Sequence, residues 1–252
     1  MKQDSDLPIF MHDPATNKIL KEAASAIPKG TKTYIVGGTI RNAVYYRLFH
    51  KRLPQRDYDM VSIGNREKFV KNLRALGFTY GFLIRKDTIT LKKKRVKKPK
   101  HQFKDYVILD IHFSKKSILK NLKENSNFTV NGFALSLKHV ASKNWHKKLI
   151  TLPNALKDLK NKQLRVNIIA HPANLFACLR FMSKGFKPPS KKEIKELLKA
   201  LGKLPKYKYK RNINKVFSYV GGEKKARQLA KKLGIKEDIF DFETIRALRK
   251  HP

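Results

Sequence analysis

The sequence predicts an α+β fold, with a mixed β-sheet flanked by helices over residues 1–168 and a small all-helical domain over residues 169–252. Strand-like and helix-like segments alternate through the first part, whereas only helical spacing occurs from Pro188 onward. Gly202, Gly221-Gly222 and Gly234 stop the successive helical segments. With 252 residues and 41% hydrophobic content, the chain is long enough to bury a proper core.

Met1 to Pro14 shows no clear period and is expected along the surface. Ala15 to Ile27 has helical spacing, with Ile19, Leu20, Ala23 and Ile27 on one face, and Pro28-Lys29-Gly30 ends it. Tyr34-Ile35-Val36 reads as a short buried strand. Gly37-Gly38 then permits a sharp turn and close approach of the backbone to a ligand, and Thr39 to about His50 reads as a helix whose first amides would suit a phosphate. After Pro54, Asp57-Tyr58-Asp59-Met60-Val61 reads as a second strand. Residues two apart on a strand share a face, so Asp57 and Asp59 sit side by side. Like charges that close repel unless a cation lies between them. An Asp-x-Asp beside a phosphate cradle is therefore a natural Mg²⁺ site and suggests two-metal phosphoryl or nucleotidyl transfer.

Asn65 to Leu76 is a second amphipathic helix ended by Gly77, and Phe82–Ile84 with Thr88–Leu91 reads as a hairpin. Tyr106 to Phe113, Y-V-I-L-D-I-H-F, is the strongest strand signal in the chain. Asp110 interrupts its apolar run, and a carboxylate there needs a partner: the metal pair of Asp57 and Asp59, or one of the many lysines. Leu149 to Leu152 reads as a further strand. Lys191–Leu201, Tyr209–Tyr219 and Glu223–Leu233 carry apolar residues at helical spacing.

Charge narrows the partners. The chain has 58 Lys+Arg against 19 Asp+Glu, a formal net charge of +39, which points to a polyanion such as RNA; a lysine-rich proteome would also raise the count. The densest block is Lys92 to Lys104. It reads either as a solvated hairpin extension or as an RNA-contacting arm, with Lys92, Lys93, Lys94, Arg95, Lys97 and Lys98 as phosphate contacts, and the global charge favours the arm. Tyr207, Tyr209 and Tyr219 would either stack on bases or belong to the helical core. One cysteine, Cys178, leaves no internal disulfide and no cysteine-based zinc site. No signal peptide or apolar run of roughly 18 residues is visible, so a cytoplasmic protein with no membrane partner is expected.

The ordered combination Gly37-Gly38-Thr39-Ile40-Arg41-Asn42 and Asp57-Tyr58-Asp59 resembles the G-G-x-x-R-[DN] and D-x-D motifs of the class II tRNA nucleotidyltransferases and bacterial poly(A) polymerases of the DNA polymerase β superfamily. Phe128-Thr129-Val130-Asn131 resembles the second half of the family's R-R-D-F-T-[IV]-N motif, with Ser126 and Asn127 in place of its arginine and aspartate. Asp158-Leu159 with Leu164-Arg165 resembles its D-L-x-x-x-x-L-R stretch. The 170–181 segment is similar to the helix E-D-P-x-R-x-x-R-x-x-R-F in Pro172, Arg180 and Phe181, but Ala170, His171, Asn174 and Ala177 replace the acidic pair and two arginines that read the base. Residues 211–240 resemble the neck helices, and the further body and tail regions of the family are not represented. The stretch between the first two motifs, around Phe49 to Gln55, is longer than usual and basic.

The resemblance implies a nucleotidyltransferase head followed by a short neck. It implies an Mg²⁺-dependent enzyme adding nucleotides to an RNA 3′ end, tRNA CCA-adding or poly(A) polymerase-like, with ATP and/or CTP as substrate. Asp57, Asp59 and Asp110 would hold two metal ions, Asp110 also orienting or deprotonating the 3′-hydroxyl. Gly37, Gly38, Arg41, Asn131 and Arg180 would bind the nucleotide. Asn174 still has the donor and the acceptor for one hydrogen bond each to a base. CTP/ATP selectivity is not carried over. The alternative is a catalytically degenerate member kept as an RNA-binding or assembly module: the three carboxylates favour the enzyme, and the altered base-reading helix and unrepresented tail favour the module.

Overall fold

The computed structural model describes residues 14–53, 57–95, 105–168, 171–236 and 238–247. It divides into two compact units, one made of residues 1–126 and 131–155, the other of residues 127–130 and 156–252. The predicted α+β class is what the chain adopts, with a mixed sheet in the first unit and mostly helices in the second.

The first unit begins with α1 (Pro14–Ser25), whose buried Ile19, Leu20 and Ala23 form the predicted apolar stripe. It continues through β1 (Lys32–Val36), α2 (Gly38–Phe49), β2 (Tyr58–Ile63) and α3 (Arg66–Ala75). The Asn65 side chain caps α3 by accepting from the Lys68 amide at 2.9 Å, which explains why the helix starts there. Then come β3 (Thr79–Ile84), β4 (Thr88–Lys94), β5 (Tyr106–Phe113), α4 (Ile118–Asn125), β6 (Phe133–Ser136) and β7 (Ile150–Thr151). The sheet order is β3-β4-β5-β2-β1-β6-β7. Only β2 and β5 pair in parallel; the other neighbours are antiparallel.

Register and alternation separate the two faces of the sheet. Ile35, Met60, Ile111 and Ile89 lie opposite one another across β1, β2, β5 and β4, and all are buried. Helices α1 and α3 are tied to this face and to each other. Tyr58 Oη donates to Thr16 Oγ1 at 3.5 Å, Lys93 pairs with Glu22 at 2.5 Å, and Asn72 Nδ2 donates to the Ala26 carbonyl at 2.9 Å. The opposite face carries Asp59, Asp110 and Thr90 in adjoining register positions.

In the second unit, α5 (Ala155–Lys160) precedes α6 (Asn174–Met182), whose residues 174–179 are all buried. Helix α7 (Lys191–Leu201) starts at a capping box in which Ser190 and Glu193 satisfy each other's backbone amides. Helices α8 (Lys206–Val220), α9 (Glu223–Lys232) and α10 (Phe242–Ala247) follow. Gly221 ends α8 in the left-handed region, at φ 89°, where a Cβ would cost energy. Phe176, Tyr209 and Phe242 form an edge-on aromatic cluster, with ring centroids 5.5 and 5.2 Å apart. Tyr209 is thus a core residue, its hydroxyl donating to the Ile239 carbonyl at 2.6 Å, whereas Tyr207 is exposed. Burial pushes the Tyr209 phenol and the Cys178 thiol up from their ordinary ranges, so neither supplies an anion near neutral pH. Among the described residues, no helix is long and apolar enough to cross a membrane.

Candidate active site

Strand β1 delivers the chain to Gly37, whose amide donates to the Phe133 carbonyl at 3.0 Å and whose backbone turns at φ 65° and ψ −128°. A side chain would be strained there, and α2 starts at the next residue. The Arg41 guanidinium folds back over the helix start, 3.4 Å from where a Cβ on Gly38 would lie. Arg41 is almost wholly buried. Its guanidinium donates to Asn131 Oδ1 at 2.5 Å and, through two nitrogens, to Asn42 Oδ1 at 2.7 and 3.1 Å. Thr39 Oγ1 reaches the Asp57 carbonyl at 3.3 Å, joining the start of α2 to the residue that leads into β2.

The carboxylates are grouped by strand pairing. Asp59 on β2 and Asp110 on β5 are direct partners in the parallel ladder, and Asp57 precedes Asp59 by two residues. Asp59 keeps an accessible surface, yet protein atoms crowd its carboxyl group. That partial withdrawal from water, with the charges of Asp110 and Asp57, pushes its pKa up to about 6, while Arg41 pulls the other way. The Thr90 hydroxyl on β4 donates to Asp110 Oδ1 at 2.5 Å.

An Mg²⁺ ion fits the chemistry of these donors. They are hard oxygens, and their charges repel one another where Asp59 and Asp110 stand side by side. Among the described residues, no group of three or more His, Cys, Asp or Glu is placed to hold a metal ion, so the fit rests on the Asp59–Asp110 pair; Mg²⁺ keeps several waters and is commonly held by one or two carboxylates. A separate hollow of about 540 Å³ between α3 and β3, lined by residues such as Val70, Tyr80 and Ile84, shares no residue with this cluster.

The structure therefore gathers Gly37, Gly38, Arg41 and Asn131 on one side and Asp57, Asp59 and Asp110 on the other within a single unit. Arg180 belongs to the second unit, where its guanidinium lies 5.4 Å from the Tyr219 ring centroid and burial lowers its pKa.

Some expectations need correction. Asn174 has no accessible surface, and its amide nitrogen donates to the Ile168 carbonyl at 2.6 Å, so it packs inside its unit and does not meet a base. Ala177 is buried as well. Arg95 is also not part of an exposed arm. It is 4% accessible and its guanidinium donates to the Tyr106 carbonyl at 2.8 Å and to Thr16, because β4 carries it under α1. Lys93 likewise spends its ammonium on Glu22 and the Leu76 carbonyl. Lys92 lies over the Tyr106 ring at 5.2 Å, and Lys94 is exposed. Lys97 and Lys98, like Ala170, residues 1–13 and residues 54–56, lie outside the described residues.

Thr90, which holds Asp110, escaped the sequence reading; its signal was a polar residue between the apolar Ile89 and Leu91 of a predicted strand. Asn42, which accepts from Arg41, entered it only within a motif. Asp158 was seen only as part of a motif. The structure shows its carboxylate buried and accepting from Thr129 at 2.6 Å and from Arg165 at 3.1 Å, a structural role.

No family model matches the sequence, and no curated protein does. Solved structures do match in fold. A tRNA-processing enzyme in an apo form aligns with 94% of this chain and 63% of its own, at 23% identity and TM-score 0.62. A tRNA-processing enzyme with CTP aligns with 86% of this chain and 56% of its own, at 26% identity and TM-score 0.59. The Thermotoga maritima CCA-adding enzyme complexed with tRNA aligns with 86% of this chain and 50% of its own, at 18% identity and TM-score 0.60. The chain thus spans about half to two thirds of the length of these proteins, and its fold is that of CCA-adding and other tRNA-processing enzymes.

Proposed function

We propose that this chain is an Mg²⁺-dependent nucleotidyltransferase that adds nucleotides from ATP and/or CTP to the 3′ end of an RNA, a tRNA being the first candidate. The observation that carries this reading is the ladder pairing of Asp59 with Asp110, with Asp57 alongside, in the unit that also holds the Gly37-Gly38 turn and Arg41. Structures with the same fold that hold CTP, ATP or tRNA support the substrate classes.

In such a reaction the RNA 3′-hydroxyl oxygen attacks the α-phosphorus of the nucleotide, and pyrophosphate leaves with the electrons of the broken P–O bond. Asp57, Asp59 and Asp110 would hold Mg²⁺, which when bound neutralises charge developing on the phosphate oxygens. The buried Arg41, fixed by Asn42 and Asn131, presents its positive charge without further ordering cost, which suits a triphosphate. The backbone amides at the start of α2 offer donors for the same anion. Asp110 is assigned the orienting of the attacking hydroxyl and the acceptance of its proton. Arg180 stands as a nucleotide contact on the sequence resemblance alone.

The test is extension of labelled tRNA, with and without its terminal CCA, and of oligo-RNA, using Mg²⁺ and each nucleotide in turn. Extension by the native chain that disappears in Asp57→Ala/Asp59→Ala supports the reading. RNA binding without extension under all these conditions would refute it.

A further inference from the structure

We propose that Thr90, seated by Gly81, is a positioning residue for the third carboxylate of the site, so that strand β4 fixes Asp110 in the orientation it needs to bind a divalent cation. This rests on the reading of Asp57, Asp59 and Asp110 as one metal-binding cluster.

Thr90 lies directly opposite Asp110 in the β4–β5 ladder, and Asp110 lies directly opposite Asp59 in the β5–β2 ladder. The three side chains therefore form one row across the face that carries the carboxylates. Thr90 has no accessible surface, and its hydroxyl donates to Asp110 Oδ1 at 2.5 Å, the short distance expected of a hydroxyl bound to a charged carboxylate. A buried threonine on a strand has few rotamers available, so the bond it makes is held in one direction. The edge strand completes the seat. Pairing of β3 with β4 is irregular between Tyr80 and Ile84, and within that irregularity Gly81 comes so close to Thr90 that a Cβ would stand 2.5 Å from Thr90 Cγ2 and 3.0 Å from its Cβ. Glycine at 81 allows β3 to pass close over the Thr90 methyl, where any side chain would push the threonine out of its place beside Asp110.

Asp110 stands directly beside Asp59 in the ladder, and two like charges at that spacing push each other aside unless something holds them. A neutral donor at Thr90 holds one oxygen of Asp110 without discharging the cluster, whereas a lysine or arginine at that place would compete with the metal. Partners of this kind, one bond removed from the metal, set ligand orientation and typically change metal affinity or activity by about 10- to 100-fold when removed.

The experiment uses the full chain and three variants, Thr90→Val, Thr90→Ser and Gly81→Ala, with two readouts. Mn²⁺ affinity is measured by titration with the metal alone, followed by electron paramagnetic resonance of the free ion. Steady-state nucleotide addition to RNA gives kcat and the KM for RNA. Thr90→Val is expected to weaken Mn²⁺ binding and lower kcat by about 10- to 100-fold, with the KM for RNA unchanged. Thr90→Ser, which keeps the hydroxyl, is expected to restore both, and Gly81→Ala, which displaces Thr90 without touching Asp110, to fall between. Mn²⁺ affinity and kcat equal to the native values in Thr90→Val would overturn the positioning role and leave the enzymatic reading intact. Native chain that adds no nucleotide but whose Mn²⁺ affinity follows the predicted order would sustain the role of Thr90 and refute RNA extension. A native chain that binds no Mn²⁺ would overturn both.

Discussion

Asp59 is the residue on which the opposing demands of stability and chemistry meet. Its pKa is raised from 3.8 to about 6 by withdrawal from water and by two neighbouring carboxylates. A carboxyl whose folded-state pKa is raised contributes stability fully present below the unfolded value, and that contribution is lost as pH rises through the folded one. Metal-free protein should therefore gain stability as pH falls from above 6 toward 4 at this group. At pH 7.5 Asp59→Asn should raise the Tm in the presence of a chelator while abolishing nucleotide addition, and a lowered Tm would contradict the crowding described here. Arg41 makes a second prediction. Lysine cannot reproduce a fork that reaches both Asn42 and Asn131, and a charged hydrogen bond is worth about 1.5–3 kcal/mol. Arg41→Lys should raise the KM for the nucleotide by about 10- to 100-fold, as read from initial rates at saturating RNA.

Among the elements, β5 and α7 are the most legible and the short α4 and β6 the least. Y-V-I-L-D-I-H-F was predicted from Tyr106 to Phe113, and β5 has those bounds, because a run rich in β-branched and aromatic residues, broken only by Asp110, has no competing helical period. Helix α7 was read from Lys191 to Leu201 for a comparable reason: its stripe is strongly amphipathic, and Ser190 with Glu193 marks the start. By contrast α4 was not predicted: its buried Ile118, Asn121 and Leu122 have helical spacing, but eight residues are too short a window to set that spacing apart. Strand β6 was missed too, because F-A-L-S fits a helix as readily as a strand until β1 pairs with it. The buried Asp158 gives a prediction about an element pair. Asp158→Ala removes the acceptor of Thr129 and Arg165, and since Arg165 is half exposed it can return to water. The cost expected is about 2 kcal/mol in a denaturation experiment, mostly from the charge-assisted bonds.

For the whole molecule, the net charge of +39 decides behaviour more than any single contact. Strongly basic chains bind polyanions by releasing counterions, so RNA affinity should fall with a linear log–log slope against salt. If six or more phosphates are contacted, the loss from about 50 mM to about 200 mM salt should be on the order of 10³-fold, measured by filter binding at several salt concentrations. The structure moderates one part of that expectation. Lys93 and Arg95 belong to the densest basic block but are tied to Glu22, to Thr16 and to backbone carbonyls, so substituting either should lower thermal stability before it changes the salt slope.

The sequence by itself determined the kind of fold, the order of its main strands and helices, and the presence of a glycine turn, an Asp-x-Asp and a third aspartate. All of these rest on local periodicity and on the conformational needs of single residue types. Only the tertiary structure decided which strand lies next to which. It paired Asp110 with Asp59, set Thr90 against Asp110, brought Asn131 to Arg41 across 90 positions of chain, and put Asn174 and Arg95 inside. These are long-range pairings, fixed by how faces of a sheet and its helices exclude water together, and no window of neighbouring residues contains that information.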